Sequence, residues 1–525
     1  MIKRPSYVIN VLACVGVFSL LFLRTVVYQY THFHGMGFAD DAFYYFVVAQ
    51  HIVHDGLSTF DGTTLTNGYH PLWMALLTVQ FRTLGQSLLL TRGIEFLLAE
   101  ASLVFALLLI RLPNLILNIL FTAGFFAIMQ RISFNGMETA LLVFCFVAFT
   151  YVSERYSKET SSGGFIDGVL GAAVIASRID AVVFVLPQML LTAKSWSRRA
   201  VSLAIVLVCG VIYGGANRYY FGMPVPISGE VKSLGGLQVN WALFRFLGDL
   251  SQPPARLFYA TGVLFIIALF LVRKPRPYVN RHVVIAFLLG SLIYSARLAF
   301  LSSWVIWQWY GYPIMIGYIA CVPYLLVMLK EGLQNRQVAQ QLVPAASLAL
   351  FVLLLFGLPK GLSHPRPQTG GEPPVAGTDL PQAVAQSIDG ARVAMGDRAG
   401  SFAYHYPGSV NQLEGIMNDD EYFRTLQNKR DVKALLCERK VQFLVAYETD
   451  LTDYKVHLVH TIRPELSQYP APEIPVSRED QVARLQDLSP ERPAQGTTYL
   501  YVWRLRCGET ESAGLGMNTA RAAMR

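Results

Sequence analysis

Charge is scarce in this chain. Only 15% of its 525 residues are Asp, Glu, Lys or Arg, against roughly 25% in soluble domains. Fifty-three per cent are hydrophobic and the mean hydropathy is +0.39. An ordinary water-soluble enzyme is thereby excluded, and much of the chain is expected in lipid. Cysteine is also sparse: six residues, with no Cys-x-x-Cys pair, so no zinc ribbon or dithiol redox motif is present. Cys14, Cys145, Cys209 and Cys321 lie inside apolar runs and read as packing residues. Cys437 and Cys507 lie beyond them. They are expected either to pair in an oxidising compartment or to remain two separate thiols. Phosphate-cradling signatures are missing: there is no P-loop and no Gly-x-Gly-x-x-Gly at a strand–helix junction. No cytoplasmic segment is large enough to hold a nucleotide sugar. The net charge of +8 comes without a basic-aromatic stripe, which excludes nucleic acid as a partner. No repeat of fixed period is present.

What the chain has is a series of apolar runs, near 8–30, 94–110, 113–131, 136–152, 200–219, 256–272, 281–301, 308–329 and 341–358. The first follows Lys3-Arg4 and reads as an uncleaved helix; Val11-Leu-Ala-Cys14 loosely matches a lipoprotein box, but the apolar run continues past it. The stretch 165–194 is broken at Ser177-Arg178-Ile179-Asp180 and predicts two short helices meeting at membrane depth. Residues 70–90, interrupted by Gln80 and Arg82, predict a juxtamembrane or re-entrant helix. Basic clusters at Lys3-Arg4, Arg155/Lys158, Lys194/Arg198-Arg199, Arg273–Arg276 and Lys330/Arg336 place those loops in the cytoplasm. Loop 31–69 contains no Lys or Arg and therefore faces outward. The expected fold is an all-α polytopic membrane domain over 1–358, with about eleven crossings plus juxtamembrane helices. A Pro/Gly-rich linker is expected over 359–381, a small soluble α/β domain on the outer side over 382–507, and a disordered tail over 508–525. Within the soluble part, strands are predicted near 392–395, 441–447, 455–462 and 498–505, and helices near 419–426 and 430–438.

Polar residues gather on the outer side. Asp40-Asp41 stand before Tyr44-Tyr45 on a helix predicted to run to about His54. A general base with a supporting acid is one reading; a solvated acidic helix start is the other. Thr66-Asn67-Gly-Tyr69-His70-Pro-Leu-Trp73 forms a turn with proline opening a helix. It presents either a ligand site or an interfacial anchor, with Trp73 at headgroup level. Glu138 follows Asn135-Gly-Met, and Arg178 with Asp180 needs partners or a cavity. Lys232, between Ser228 and Ser233 in the outer loop 220–255, is either an anion contact or a solvated lysine. Trp304, Trp307, Trp309, Tyr310 and Tyr312 read first as an interfacial belt and second as sugar-stacking surfaces. His51 and His54 lie about 15 Å along the helix from the acidic pair at ~1.5 Å per residue, and His32 and His34 lack a partner set, so no metal ligands are assigned.

These motifs resemble those of GT-C type membrane glycosyltransferases, in particular a bacterial, arabinofuranosyltransferase-like branch. The residues that carry the resemblance are Asp40-Asp41-Ala-Phe-Tyr44-Tyr45, Asn67-Gly-Tyr-His70-Pro-Leu-Trp73, Gly136-Met-Glu138 and Arg178-Ile-Asp180, with Val393-Ala-Met-Gly-Asp397 and Val410-Asn-Gln-Leu-Glu-Gly415 in the soluble part. Relatives tend to have Arg-Pro-Asp where this chain has Arg178-Ile179-Asp180. The resemblance implies an inverting transferase in a bacterial inner membrane, its active site on the periplasmic side. A polyprenyl-phosphate-linked sugar would be the donor, and a cell-envelope glycan or glycoprotein the acceptor. Arabinofuranose is one candidate sugar. It implies Asp40 as base and Asp41 as its acidic neighbour. Lys232, Arg178, His70, Tyr69 and Asn67 would stand near the donor phosphate, and Tyr44, Tyr45, Glu138, Asp180, Trp307 and Tyr310 would line the pocket. No organic cofactor is implied, and a divalent cation is compatible with the site. The rival readings are a non-enzymatic transporter or binder of lipid-linked sugars and a structural scaffold of the cell envelope. Neither requires an acidic pair on an outer loop.

Overall fold

The computed structural model describes residues 5–32, 37–241, 243, 247–248, 253–273, 279–302, 304, 306–335, 379–458, 473–487 and 498–507. The expected crossing at 341–358, nearly all of the linker and the tail from 508 lie outside the described residues. Among those described, six helices are long and apolar enough to cross a membrane: Tyr7–Tyr28, Leu88–Ile110, Leu115–Ile132, Trp196–Phe221, Arg281–Phe300 and Gln308–Glu331. Three shorter apolar helices accompany them, Ser161–Ser177, Ile179–Thr192 and Ala255–Leu271.

In chain order the helices are α1 (Pro5–His32), α2 (Asp40–His54), α3 (Pro71–Thr83), α4 (Leu88–Ile110), α5 (Leu115–Ile132), α6 (Thr139–Arg155), α7 (Ser161–Ser177), α8 (Val182–Thr192), α9 (Trp196–Phe221), α10 (Ile227–Val231), α11 (Pro253–Leu271), α12 (Arg281–Phe300) and α13 (Tyr312–Asn335). The segment 70–90 does not cross. Its helix α3 has 13 residues, about 20 Å at 1.5 Å per residue, short of a ~30 Å hydrocarbon core. Pro71 occupies its first turn, where a missing N–H costs nothing. Helix α4 starts at Leu88, six residues earlier than its apolar run suggested, because Ser87 caps it by accepting from Leu90 N–H. Two of its three charges, Arg92 and Glu95, are fully buried and paired at 2.6 Å. Helix α6 is buried along nearly its whole length; it is the centre of the bundle, contacted by α4 and α7.

The break in 165–194 falls where the sequence placed it. Helix α7 ends at Ser177, Arg178 is extended (φ −159°, ψ 113°), and a single 3-10 turn over Ile179–Ala181 leads into α8. The chain therefore breaks here without a proline.

Beyond the membrane part lie α14 (Asp379–Ile388), β1 (Val393–Met395), α15 (Ala399–His405), β2 (Val410–Gln412), α16 (Asp420–Gln427), α17 (Val432–Glu438), β3 (Phe443–Tyr447), β4 (Leu451–Thr452), β5 (Lys455–His457), β6 (Glu473–Pro475), β7 (Gln481–Asp487) and β8 (Thr498–Arg504). Helix α14 begins within the stretch expected as linker. The main sheet has the order β2-β1-β3-β8-β7. Its first three strands are parallel, and β8 and β7 join antiparallel. Strand β1 carries Val393, Ala394 and Met395, all fully buried, as a parallel strand covered on both faces requires. A smaller antiparallel sheet runs β4-β5-β6. The sulfurs of Cys437 and Cys507 are bonded, with Cα atoms 5.6 Å apart, fastening α17 to the end of β8.

The α/β unit seats directly on the membrane part. Tyr404 of α15 packs its ring 5.3 Å from that of Phe43 in α2. Gly68 touches the unit so closely that a Cβ there would lie 2.0 Å from the carbonyl oxygen of Ile416. Asn411 donates to the buried carboxylate of Asp61 at 3.1 Å, and Ser409 to its carbonyl at 2.6 Å.

Candidate active site

Three turns converge under this seat. The first is the start of α2. Ala39 occupies the N-cap, its N–H donating to Asn135 O at 2.8 Å. Asp40 and Asp41 thus fall in the first helical turn, where the helix dipole favours negative charge. Both are half-buried, so the alternative of a solvated acidic helix start does not describe them.

The second turn, 133–138, delivers Glu138. Glu95 accepts from Gly136 N–H at 2.7 Å, and Trp73 donates its indole N–H to Gly136 O at 3.1 Å. Gly136 has φ +85°, and a Cβ there would lie 2.6 Å from that of Ala42; only glycine fits. Trp73 is fully buried rather than at headgroup level: it is a strut beneath this turn.

The third is the break after α7. Arg178 donates through Nη1 to Glu138 at 2.5 Å and through Nε to Asp180 at 2.9 Å. Its guanidinium lies 5.1 Å from the Tyr310 ring and 5.2 Å from that of Tyr312. Asp180 also meets Arg297 at 3.4 Å and accepts from Tyr312 at 3.3 Å. Two carboxylates face two guanidinium groups, so this floor is balanced in charge. Tyr45 donates to the other Glu138 oxygen at 3.0 Å and accepts from His70 N–H at 3.2 Å. His70 Nδ1 accepts from Ile179 N–H at 3.5 Å, which leaves the proton on Nε2, 3.7 Å from Glu138. Burial holds the His70 pKa below its ordinary value, against the pull of Glu138.

Lys232 follows α10, and Asn67 fixes that helix. The Asn67 amide donates to Asn217 and to Val225 O, each at 3.1 Å, and accepts from Ile227 N–H at 3.0 Å. The Lys232 ammonium lies 5.8 Å from the Trp304 ring and 5.9 Å from that of Tyr310. Burial by itself would lower its pKa, yet Tyr310, to which it is hydrogen-bonded, and Asp41 hold it above the ordinary lysine value. Asp41 responds in turn. Burial raises its carboxyl to about 7; Lys232 opposes this, while Asp40, Asp397 and Glu138 add to it.

Asp40 points elsewhere. Its carboxylate accepts from Gly400 N–H at 3.1 Å, from Ser401 N–H at 2.8 Å and from the Ser401 hydroxyl. All three donors belong to the α/β unit.

The structure thus gathers Asp41, Lys232, Glu138, Arg178, Asp180, His70, Tyr45 and Tyr310. It does not gather all the expected residues. Tyr69 shares a hydrogen bond with Ser58 at 2.6 Å, and Asn67 is committed to the α10 loop, so both fasten loops. Tyr44 is buried against Phe60, at the seat of the α/β unit. Trp304, Trp309, Tyr310 and Tyr312 are buried and therefore do not form an interfacial belt; Trp307 stacks on Trp309 at 5.8 Å. Arg297 and Ser401 were not singled out from sequence. Arg297 gives the one available signal, an arginine in the last turn of an apolar helix; Ser401 gives none. Beside Tyr310, an apolar groove opens between α11 and α12, lined by Leu247, Leu257, Phe258, Leu298, Ile306 and Trp307 among others.

No protein-family model matches the chain, and no curated protein matches it in sequence. Solved structures resemble it at low identity. ArnT from Cupriavidus metallidurans bound to undecaprenyl phosphate is 13% identical with a TM-score of 0.48, covering 86% of this chain and 96% of that one. The arabinofuranosyltransferase AftD from Mycobacteria is 12% identical with a TM-score of 0.48, covering 94% of this chain and 42% of that one. Similarity of this depth carries no functional argument, which rests on the site itself.

Proposed function

We propose that this protein is a GT-C type membrane glycosyltransferase that moves a sugar from a polyprenyl-phosphate donor to a hydroxyl of a cell-envelope acceptor on the outer face of a bacterial inner membrane. One observation carries the reading: an apolar groove lined in part by Tyr310 lies beside a half-buried lysine that faces a half-buried carboxylate. An amphiphile with a long apolar tail and an anionic head fits that sequence of surfaces.

Asp41 is the base. The acceptor oxygen attacks the anomeric carbon as Asp41 takes its proton, the carbon–oxygen bond to phosphate breaks, and the lipid phosphate leaves with the bonding pair. A single displacement of this kind inverts the anomeric configuration. A carboxyl near pH 7 in pKa matches the task of a base at neutral pH. Lys232 and Arg297 meet the charge that develops on the leaving phosphate. Arg297 is 37% exposed in its side chain, whereas Arg178 is held between Glu138 and Asp180 and serves as the floor. This reverses the order implied by the family resemblance, in which Asp40 is the base: Asp40 has spent its acceptors on Ser401 and Gly400. The Cys437–Cys507 bond supports an oxidising compartment for the α/β unit.

The test is transfer in vitro from synthetic polyprenyl-phosphate sugars, arabinofuranose among them, compared with nucleotide sugars. Transfer from the lipid donors, lost in Asp41→Asn, is expected. Activity with a nucleotide sugar alone, in membranes stripped of lipid carriers, would defeat the proposal.

A further inference from the structure

The α/β unit reaches the acidic pair directly. Residues 360 positions apart in the chain meet there: both Asp40 oxygens are occupied by the Gly400–Ser401 turn. The fit leaves no slack, since a Cβ on Gly400 would lie 2.4 Å from Asp40 O. The same unit touches the loop that carries Lys232, for a Cβ on Gly222 would lie 3.1 Å from the Asp420 carboxylate. We propose that the Gly400–Ser401 turn is a positioning device that holds Asp40 as a fixed carboxylate beside Asp41, so that the α/β unit sets the basicity of the catalytic carboxylate. This rests on the reading of Asp41 as the base.

The electrostatics follow from the geometry. Burial raises the Asp40 pKa, and the Ser401 hydroxyl and amide with the Gly400 amide work against it, because hydrogen bonds to a carboxylate favour its charged form. The charged groups facing Asp40 are Asp397, from the loop after β1, and Asp41. Asp41 is faced by Lys232 from the end of α10, Asp40, Asp397 and Glu138 from the start of α6. A charged Asp40 repels charge on Asp41 and so makes Asp41 hold a proton more strongly. Removing the Ser401 hydroxyl lets Asp40 take a proton, the repulsion falls, and Asp41 becomes a weaker base. The α/β unit thus acts on the reaction through Asp40.

The experiment reads Asp41 itself and needs no sugar. Full-length protein in lipid nanodiscs is treated with a hydrophobic carbodiimide, which reacts with protonated buried carboxyls, between about pH 5 and 9, and labelling of Asp41 is followed by peptide mass spectrometry. Wild type is expected to lose labelling with a midpoint near 7. In Ser401→Ala and in Asp40→Asn the midpoint should move to lower pH by roughly one unit, and the double variant should move no further than Asp40→Asn alone. Unmoved midpoints in both single variants, or a further shift in the double variant, would overturn the positioning role. If Ser401→Ala does not fold, Asp40→Asn against wild type decides by itself. A wild-type midpoint in the ordinary carboxylate range would instead sink the reading of Asp41 as base.

Discussion

At the scale of single residues, the proposed function separates groups assigned to the chemistry from groups that hold them. Asp41→Asn is expected to lower transfer by about 10²–10⁴-fold, the usual cost of a missing general base. The wild-type rate should rise with pH through about 7, as Asp41 loses its proton. The stability consequence has the opposite sign. A carboxyl whose folded pKa lies above its unfolded value binds its proton more tightly when folded, so it stabilises at low pH and costs stability once ionised. Asp41→Asn should therefore melt higher than wild type at pH 8 by calorimetry, while inactive; a lower melting temperature would contradict the burial argument. Lys232 and Arg178 should also part company. Lys232→Ala is expected to lower kcat more than it raises KM, because the charge it meets grows in the transition state. Arg178→Ala leaves Glu138 and Asp180 facing each other across a buried floor and should reduce the yield of folded protein, since breaking one partner of a buried pair costs about 3–5 kcal/mol.

At the scale of elements, the break between α7 and α8 holds Arg178 and Asp180 in register with Glu138. Arg178 is already extended, the conformation that a following proline imposes, and Ile179 opens a new turn, where proline is tolerated. Ile179→Pro is therefore expected to insert and fold with a melting temperature close to wild type. Its one loss is the Ile179 N–H donated to His70, which frees the imidazole to change tautomer. Aggregation of this variant in detergent, read by size-exclusion chromatography, would show that the break depends on that hydrogen bond. The turn at Gly136 is less forgiving: its positive φ and the contact with Ala42 make Gly136→Ala a displacement of α2 itself.

At the scale of the whole molecule, the membrane part and the α/β unit form one site. Gly68 lies where the two backbones touch, so Gly68→Val, with nowhere to place its side chain against Ile416 O, is expected to loosen the seat. Increased cleavage of residues 379–507 by added protease in intact nanodiscs, together with loss of transfer, would report it; protection equal to wild type would refute the contact. The orientation is tested separately. Alkaline phosphatase fused after residue 507 should be active, and green fluorescent protein at the same point dark, if the unit faces the periplasm; the reverse result would invert the topology.

Much of this arrangement was legible in the sequence. Apolar runs mark membrane helices because lipid admits only backbones that satisfy their own hydrogen bonds. The break at Arg178–Asp180 shows because two charges cannot stay inside such a run without partners. Strands β1, β3 and β8 and helices α16 and α17 follow from local patterns of residues, and the pairing of the two outer cysteines was among the expected outcomes. The tertiary structure decided the rest. The aromatics at 304–312 could equally face headgroups or the interior, since both zones favour them, and only packing chose the interior. Asn67 and Tyr69 have the polarity of ligand contacts, yet the loops that reach them claimed their hydrogen bonds first. The two adjacent aspartates are chemically identical, and nothing local distinguishes them. Their difference comes from a turn 360 residues away that takes one carboxylate and a lysine 191 residues away that faces the other, a pairing of long-range partners that no local pattern encodes.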